Sequence, residues 1–280
     1  MKATTILALT LCGRTLRAQN IPDAVMGAGM DLLDASHILH FLDVVDAFGH
    51  VSVRNPANAS QFLMTFAIAP AQATSQSIVT YEIDNATTVA LTFNSSVTGS
   101  AVPTGFAERY IHSEIYKKFP DVLGVVHSHT QEILPFANQA GVPLVSQMHT
   151  VLPSTQLHDL LVRNELLGDA LAGTFKSDSQ VVLMRGHGMA VRAPSIRQAV
   201  FNAYYVKQDA IVQMQGMLLG GLAGKGASPV GLNAREVQDT TTTAATLVGR
   251  AWSMWVAQVD KDAFYTNDLR KGAAPAATGF

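Results

Sequence analysis

Short segments with the two-residue period of β-strands alternate along this chain with longer segments of helical period, which restricts the folds open to it. The predicted helices cover residues 22–48, 104–119, 194–219 and 234–259, and the predicted strands cover residues 50–54, 61–66, 79–83, 88–93, 123–129 and 180–185. Strands and helices that share one core form layered domains. The pattern therefore predicts a single α/β domain over residues 20–265 and a flexible tail over residues 266–280.

Charged residues are scarce in this sequence. They make up 14% of the chain, against 48% hydrophobic residues, whereas an average domain has about 25% charged residues. Lys and Arg number 19 and Asp and Glu 21, giving a net charge of −2 with no basic run. This composition excludes disorder and argues against nucleic-acid binding, and no apolar run is long enough for a membrane helix. A small-molecule partner is expected. The scarcity of charged residues suggests that other subunits cover much of the surface, and a Ser/Thr-rich surface is the alternative.

The first residues resemble a secretory signal peptide. Residues 1–18 combine a charged start, an apolar stretch and a small residue, Ala18, before the predicted cleavage point. A short N-terminal helix or strand is the alternative. The chain also has three glycosylation sequons, at Asn58, Asn85 and Asn94. We therefore expect a secreted glycoprotein without a disulfide, because the only cysteine, Cys12, lies within the predicted signal.

Two histidines lie two residues apart at the end of a predicted buried strand. Residues i and i+2 of a strand point to the same face, so His127 and His129 project together. They could supply two ligands to a divalent metal, or simply be hydrogen-bonded at a strand end. His187 lies between two glycines directly after another apolar strand. Three such histidines match the common catalytic set of three protein ligands and one open position.

A carboxylate precedes the histidine pair along the chain. Glu108 falls in the first turn of the predicted helix 104–119, where a carboxylate compensates the helix dipole. Because this helix leads directly into the strand of His127 and His129, a catalytic role is also credible. His112 lies one turn later on the same face, and we interpret it as a supporting group and not as a ligand.

Four segments together resemble the class II aldolase/adducin family, in the order in which that family has them. The segments are residues 49–56, 108–116, 121–130 and 185–188, and the resemblance extends over residues 22–260. It implies a three-layer α/β/α domain around a mixed central sheet. It also implies a homo-oligomer, commonly a homotetramer, with active sites near subunit contacts.

The resemblance also implies site residues. His127, His129 and His187 would bind a divalent metal, with zinc as the first choice and manganese or another divalent ion as alternatives. Glu108 matches the family's acid/base, which can also ligate the metal. Tyr265 could complete the pocket as a proton donor or as a cover, although a packing tyrosine is the alternative. The non-enzymatic adducin branch lacks the metal histidines, and this chain keeps them.

The sequence departs from the family pattern in the residues that bind a substrate phosphate. The family's sugar-phosphate enzymes hold phosphate with a Gly-Asn pair and a polar loop, but here His50 occupies the asparagine place and residues 65–73 are mostly apolar. A phosphorylated substrate is therefore not expected, and the stretch resembles the family's decarboxylase branch. His50 and Arg54 could then lie near a substrate anion, with a surface contact on a strand as the alternative for Arg54.

The leading hypothesis is a metal-dependent carbon–carbon lyase acting on a non-phosphorylated hydroxy-carboxylate or hydroxy-carbonyl compound. Decarboxylation and retro-aldol cleavage both pass through a metal-stabilised enolate, so the site does not choose between them. Glu108 would move the proton, with a pKa raised in a partly dry pocket. The alternatives are a secreted biosynthetic isomerase or cyclase using the same metal, and a non-catalytic binding protein on this fold.

Overall fold

A computed structural model describes residues 21–138, 159–176, 179–222 and 231–270. Its helices are α1 (Asp23–Phe41), α2 (Arg109–Lys118), α3 (Leu134–Ala137), α4 (Glu165–Thr174), α5 (Ile196–Leu222) and α6 (Ala234–Val259). Its strands are β1 (His50–Arg54), β2 (Gln61–Thr65), β3 (Ile78–Glu82), β4 (Thr88–Leu91), β5 (Asn94–Thr98), β6 (Gly124–Ser128), β7 (Val181–Met184) and β8 (Gly188–Ala193). The predicted signal peptide and Cys12 lie outside the described residues.

The strands of the described part form one sheet in the order β5-β4-β3-β2-β1-β6-β8-β7. Every pairing between neighbouring strands of this sheet is antiparallel. The expected mixed sheet is thus wrong in this respect. The physical reason is that β1 and β2, β3 to β5, and β7 and β8 follow one another through short connections, which join antiparallel strands, whereas parallel neighbours need long crossovers.

Helices cover both faces of the sheet, as the three-layer prediction requires. One face packs against α1, α5 and α6 through residues that include Val51, Val126, Val191, Leu39 and Trp252. The other packs against α2 and α4 through residues that include Phe62, Val125, Ala190, Ile111 and Leu171. None of the described helices has the length and apolar character needed to cross a membrane.

Some elements differ from the sequence-based prediction. Strands β5 and β8 and helices α3 and α4 were not predicted, and β8 lies inside the sheet between β6 and β7. Helix α1 ends at Phe41 because Asp43 adopts a positive φ of 53° and the buried Lys207 ammonium donates to the carbonyls of Leu42 and Asp43. Helix α2 begins at Arg109, so Glu108 is its N-cap residue.

Residues 266–270, which belong to the predicted flexible tail, are held against the body of the protein. The Asn267 amide donates to the Asp34 carboxylate of α1 at 2.7 Å. The Asp268 carboxylate accepts hydrogen bonds from the backbone N–H and the hydroxyl of Ser75, at 2.8 and 2.6 Å. These contacts correct the predicted boundary of the tail, whose remaining ten residues lie outside the described part of the chain.

Candidate metal centre and active site

Four ionisable side chains converge where β6 ends, at the turn between β7 and β8 and at the start of α2. His127 Nε2 lies 2.9 Å from His129 Nε2, which lies 3.1 Å from His187 Nε2. Glu108 Oε2 lies 3.4 Å from the Nε2 atoms of both His127 and His187. Ligand atoms 2.0–2.1 Å from a tetrahedral ion are separated by roughly 3.3 Å. The spacing and the donor types of this cluster therefore fit a divalent metal ion.

Burial and polar neighbours orient two of the imidazoles towards the centre of the cluster. His127 is buried, and its Nδ1–H donates to the Met189 carbonyl of the adjacent strand β8 at 2.9 Å, which orients the ring so that Nε2 faces the cluster. His129 Nδ1 lies 3.6 Å from the Asp46 carboxylate. Burial, together with the neighbouring His127 and His187, lowers the pKa of His129 to about 4, so this ring is neutral at physiological pH.

His187 reaches the cluster through a tight turn that depends on both of its flanking glycines. Gly186 has a φ of +66°, which side chains other than glycine rarely adopt. A Cβ atom on Gly188 would lie 2.1 Å from the Ser128 carbonyl oxygen of β6, so a larger residue would push β8 away from β6. The two glycines therefore place His187 beside His129, as the sequence suggested.

Glu108 is oriented by the backbone. Its Oε1 accepts a hydrogen bond from the Val162 N–H at 2.9 Å, and its Oε2 faces the histidines. Burial alone would raise the pKa of this carboxyl, but His127 and His187 beside it hold the pKa well below its usual range. The expectation of a raised pKa was therefore wrong, because the imidazoles favour the carboxylate by more than burial disfavours it.

His50 lies directly beside the cluster. It pairs with His127 across β1 and β6, and its ring centre lies 5.0 Å from that of His127 and 4.6 Å from that of Phe106. Its Nδ1 lies 2.7 Å from Nε2 of His112, which is therefore a support behind the site and not a member of the cluster. Burial is the main cause that lowers the pKa of both rings, to about 3 for His112. Sequence reasoning missed Phe106 as a site residue, since it was assigned only to the apolar face of a helix.

Comparison with known proteins places this chain in a family. The family model described as Class II Aldolase and Adducin N-terminal domain matches residues 30–214, which include all four residues of the cluster. The chain belongs to the class II aldolase/adducin family. Its family membership was predicted from the sequence and is confirmed.

Two relatives of this family member have names that state an activity. The chain is 36% identical over 262 residues to "Decarboxylase tropJ" of Talaromyces stipitatus, covering 84% of this chain and 95% of the relative. It is 32% identical over 123 residues to the "3,4-dihydroxyphthalate decarboxylase" of Arthrobacter keyseri, covering 40% of this chain and 48% of the relative. These relatives support a lyase of the aldolase and decarboxylase type.

The fold agrees with solved structures of the family. An aldolase II superfamily protein from Pseudomonas syringae superposes with a TM-score of 0.63 at 20% identity, covering 88% of this chain and 97% of that protein. The class II aldolase fold predicted from the sequence is thereby confirmed.

Arg54 lies away from the cluster in this member of the class II aldolase/adducin family. It occupies the opposite end of β1 from His50, and its guanidinium donates to the carbonyls of Val122, Ala59, Tyr116 and Phe119 at distances from 2.8 to 3.1 Å. The guanidinium is thus bound by backbone carbonyls of the β1–β2 connection and of the last turn of α2 and the residues after it. This corrects the expectation that Arg54 lies near a substrate anion.

Tyr265 is placed on the other side of the sheet from His50. Its hydroxyl lies 2.9 Å from Nδ1 of His40 on α1, and its ring contacts His37 and Phe41. The structure does not bring Tyr265 into the cluster of its own chain, as far as the described residues show. A catalytic role for Tyr265 stays a prediction, and it requires that Tyr265 of one subunit reaches the cluster of a neighbouring subunit.

The segment in the place of the family's phosphate loop packs against the protein. Residues 65–73 carry no charged side chain, and Ala71 and Ala73 are buried. The Ala73 carbonyl accepts a hydrogen bond from Nε2 of His37 on α1 at 3.1 Å. This segment therefore offers no cation for a phosphate group.

The three sequons lie in turns or beside them: Asn58 between β1 and β2, Asn85 between β3 and β4, and Asn94 at the start of β5. Asn58 and Asn85 are exposed, and Asn94 is half-buried. Each side-chain oxygen accepts a hydrogen bond from the hydroxyl two residues later, on Ser60, Thr87 and Ser96. Glycosylation at these positions remains a prediction.

Proposed function

We propose that this protein is a divalent-metal-dependent decarboxylase that acts on a non-phosphorylated hydroxy-carboxylate carried on an aromatic ring. The observation that carries the proposal is the convergence of three imidazole Nε2 atoms and the Glu108 carboxylate within 4.8 Å. Two kinds of support favour decarboxylation over aldol cleavage. The two sequence relatives described above are named as decarboxylases, one of them for 3,4-dihydroxyphthalate, and residues 65–73 carry no charge for a phosphate.

We propose that His127, His129 and His187 hold the ion, with Glu108 beside them. Zinc is our first assignment, because three histidines and a carboxylate suit a borderline-soft cation, and manganese is the alternative. When bound, a divalent ion supplies Lewis-acid stabilisation of negative charge on a substrate oxygen.

The chain's own contribution to the chemistry is proton transfer by Glu108. Because its pKa lies below the usual range, Glu108 starts as a carboxylate and can accept a proton at Oε2 from the hydroxyl beside the substrate carboxylate. Glu108 then delivers this proton to the ring carbon that bears the carboxylate. The carbon–carbon bond breaks, carbon dioxide leaves, and the electron pair of that bond restores the ring as a phenolate. The phenolate takes a proton from water, so atoms and charges balance.

A product assay on the zinc-loaded and manganese-loaded protein tests this proposal. Ring-hydroxylated aromatic carboxylates should release carbon dioxide, and hydroxy-ketones should release no aldehyde. Aldehyde from a hydroxy-ketone, without carbon dioxide from any carboxylate, would show retro-aldol cleavage instead. Metal binding without turnover of either class would favour a binding protein.

We further propose that the protein is a homo-oligomer, with a tetramer as the state that the family resemblance implies. The second half of α5 supports this, since residues 210–222 contain no charged residue. Leu218, Leu219 and Leu222 there are 66%, 68% and 87% exposed. Contiguous apolar surface of this kind commonly marks a protein interface. A second copy of the chain would bury the same apolar face on both partners without leaving any charge unpaired.

Secretion is also proposed, with residues 1–18 removed as a signal peptide and glycan on at least one of Asn58, Asn85 and Asn94. The support is the apolar N-terminal stretch and the placement of two sequons at exposed turns. Intact mass and N-terminal sequencing of the protein from its native source test it. A retained Met1 with no glycan mass would contradict it.

A further inference from the structure

Four buried polar side chains form a continuous hydrogen-bonded chain behind the metal cluster. His50 Nδ1 lies 2.7 Å from His112 Nε2, and His112 Nδ1 lies 2.6 Å from the Ser52 hydroxyl. That hydroxyl lies 2.8 Å from the hydroxyl of Tyr116. His50 and Ser52 point to one face of β1, and His112 and Tyr116 lie one turn apart on α2. We call these four side chains the His50 relay.

The direction of the hydrogen bonds in the relay follows from counting donors and acceptors. Tyr116 is buried, and the only partner of its hydroxyl among the described residues is Ser52, so Tyr116 donates to Ser52. Ser52 must then donate to His112 Nδ1, which leaves the His112 hydrogen on Nε2. The reverse direction would leave the Tyr116 O–H buried without an acceptor, which costs about 1–3 kcal/mol.

The same count fixes the tautomer of His50. Because His112 Nε2–H donates to His50 Nδ1, the hydrogen of His50 resides on Nε2. This nitrogen is buried, and no polar atom of the described residues lies within hydrogen-bonding distance of it. A buried N–H without an acceptor is unfavourable, and a catalytic role or a bound water or ion is among the explanations for such a group in a native protein.

We propose that His50 Nε2–H is a fixed, neutral hydrogen-bond donor for a substrate oxygen at the metal cluster. His112, Ser52 and Tyr116 act as positioning residues that hold the hydrogen on Nε2. His50 is suited to this because it pairs directly with His127 across the sheet and its ring contacts Phe106. The inference rests on the proposed function and deepens it.

The Nε2–H of His50 restricts the chemical class of substrate that the site can bind. A single neutral N–H suits one carboxylate or phenolate oxygen, whereas a phosphate is usually bound by several donors or cations. The Phe106 ring, 4.6 Å from the His50 ring centre, offers an apolar wall beside that oxygen. The substrate class is therefore a planar aromatic acid with a hydroxyl next to its carboxylate, and salicylate is the simplest probe that has both groups.

The tautomer can be measured directly by nitrogen NMR on the zinc-loaded protein labelled with ¹⁵N-histidine. The His50 signals are assigned by their disappearance in His50→Gln. We expect the hydrogen on Nε2 and a bare Nδ1 that accepts a hydrogen bond. A hydrogen on Nδ1 would overturn the inference and leave the proposed function untouched, since metal binding and decarboxylation do not depend on this tautomer.

The ligand role is tested with calorimetry of salicylate binding to the zinc-loaded protein. His50→Gln keeps an amide donor near the position of Nε2, whereas His50→Met removes it at similar volume. We expect about ten-fold or more weaker binding for His50→Met than for His50→Gln, with equal zinc content in both. Equal affinities for the two variants would overturn the donor role.

His112→Phe tests the relay itself. It removes the donor to His50 Nδ1, so the His50 hydrogen should distribute over both ring nitrogens, and salicylate binding should weaken while zinc content is unchanged. A single Nε2–H form with unaltered affinity in this variant would overturn the positioning role. Failure of the unaltered protein to bind salicylate, together with no carbon dioxide from any hydroxy-carboxylate, would contradict the proposed function itself.

Discussion

The Nε2 atoms of His127 and His129 lie 2.9 Å apart at the end of β6. The Nδ1–H of His127 donates to the Met189 carbonyl, which turns its Nε2 towards His129. His187 brings a third Nε2 to within 3.1 Å of His129 Nε2. Imidazole nitrogens gathered in this way are suited to binding one cation, because each ring can offer a lone pair to the same ion.

Removing one of these ligands should empty the site. We expect about one divalent ion per chain in protein purified without chelator, and a loss of that ion in His187→Ala with the circular dichroism spectrum retained. His40→Ala is the matched control, because His40 bonds Tyr265 outside the cluster. Elemental analysis of the three proteins measures the metal, and full occupancy in His187→Ala would refute the ligand assignment.

Glu108→Gln separates proton transfer from metal binding. The amide oxygen can still accept from the Val162 N–H, so the side chain should keep its position. We expect turnover to fall by roughly two to four decades with the metal retained, which is the usual size of general acid–base catalysis. Glu114→Gln on the same helix is the control and should keep near-normal turnover, because Glu114 is paired with Lys117. Near-normal turnover of Glu108→Gln would mean that Glu108 only compensates the helix dipole.

His37 should make the fold sensitive to mild acid. Burial lowers the pKa of His37 to about 4 from an ordinary value of 6.5. The unfolded chain takes up a proton near pH 6.5 while the folded chain does so only near pH 4. The stability due to neutral His37 is therefore complete above pH 6.5 and is lost as the pH falls from there towards 4.

The His37→Gln variant measures this contribution, since its amide can still donate to the Ala73 carbonyl. Between pH 7 and pH 5 the unfolding free energy of the variant should fall by about 2 kcal/mol less than that of the unaltered protein. Denaturant titrations of both proteins at the two pH values give this difference. Equal losses in both would contradict the assignment.

Arg54 should matter for stability and not for substrate binding. Arg54→Ala removes the hydrogen bonds to four backbone carbonyls and the contact of the guanidinium with the Tyr116 ring. We expect a loss of about 2–4 kcal/mol of unfolding free energy, with KM of the folded enzyme unchanged. A raised KM with an unchanged free energy of unfolding would show instead that Arg54 contributes to substrate binding.

The apolar second half of α5 should hold the oligomer together. Leu218→Lys combined with Leu222→Lys places charges on the proposed interface and should shift the mass measured by light scattering towards the monomer. Leu166→Lys on α4 is the control, because Leu166 is also half-exposed but lies on another helix. An unchanged mass in the double variant would move the interface elsewhere.

Much of the fold was predictable because hydrophobic residues recur with a different period in strands and in helices, and this difference identified most of the elements. The elements that escaped prediction have weak local signals. Strand β8 begins one residue after His187, inside the same turn, and its first residue is a glycine that is needed for close approach to Ser128. Short polar strands such as β5 have no apolar alternation to detect.

By itself the sequence determined the family, the alternating pattern of the domain and the four residues that converge in the cluster. Spacing alone put His127 and His129 on one face, and the glycines around His187 indicated a close approach. Which side chains contact one another was decided only by the tertiary structure. Arg54 shares a strand face with His50 yet bonds carbonyls at the other end of β1, and Tyr265 packs on α1. Sequence spacing fixes the direction of a side chain within its own element, whereas its partners come from elements distant in the chain, whose packing no local pattern encodes.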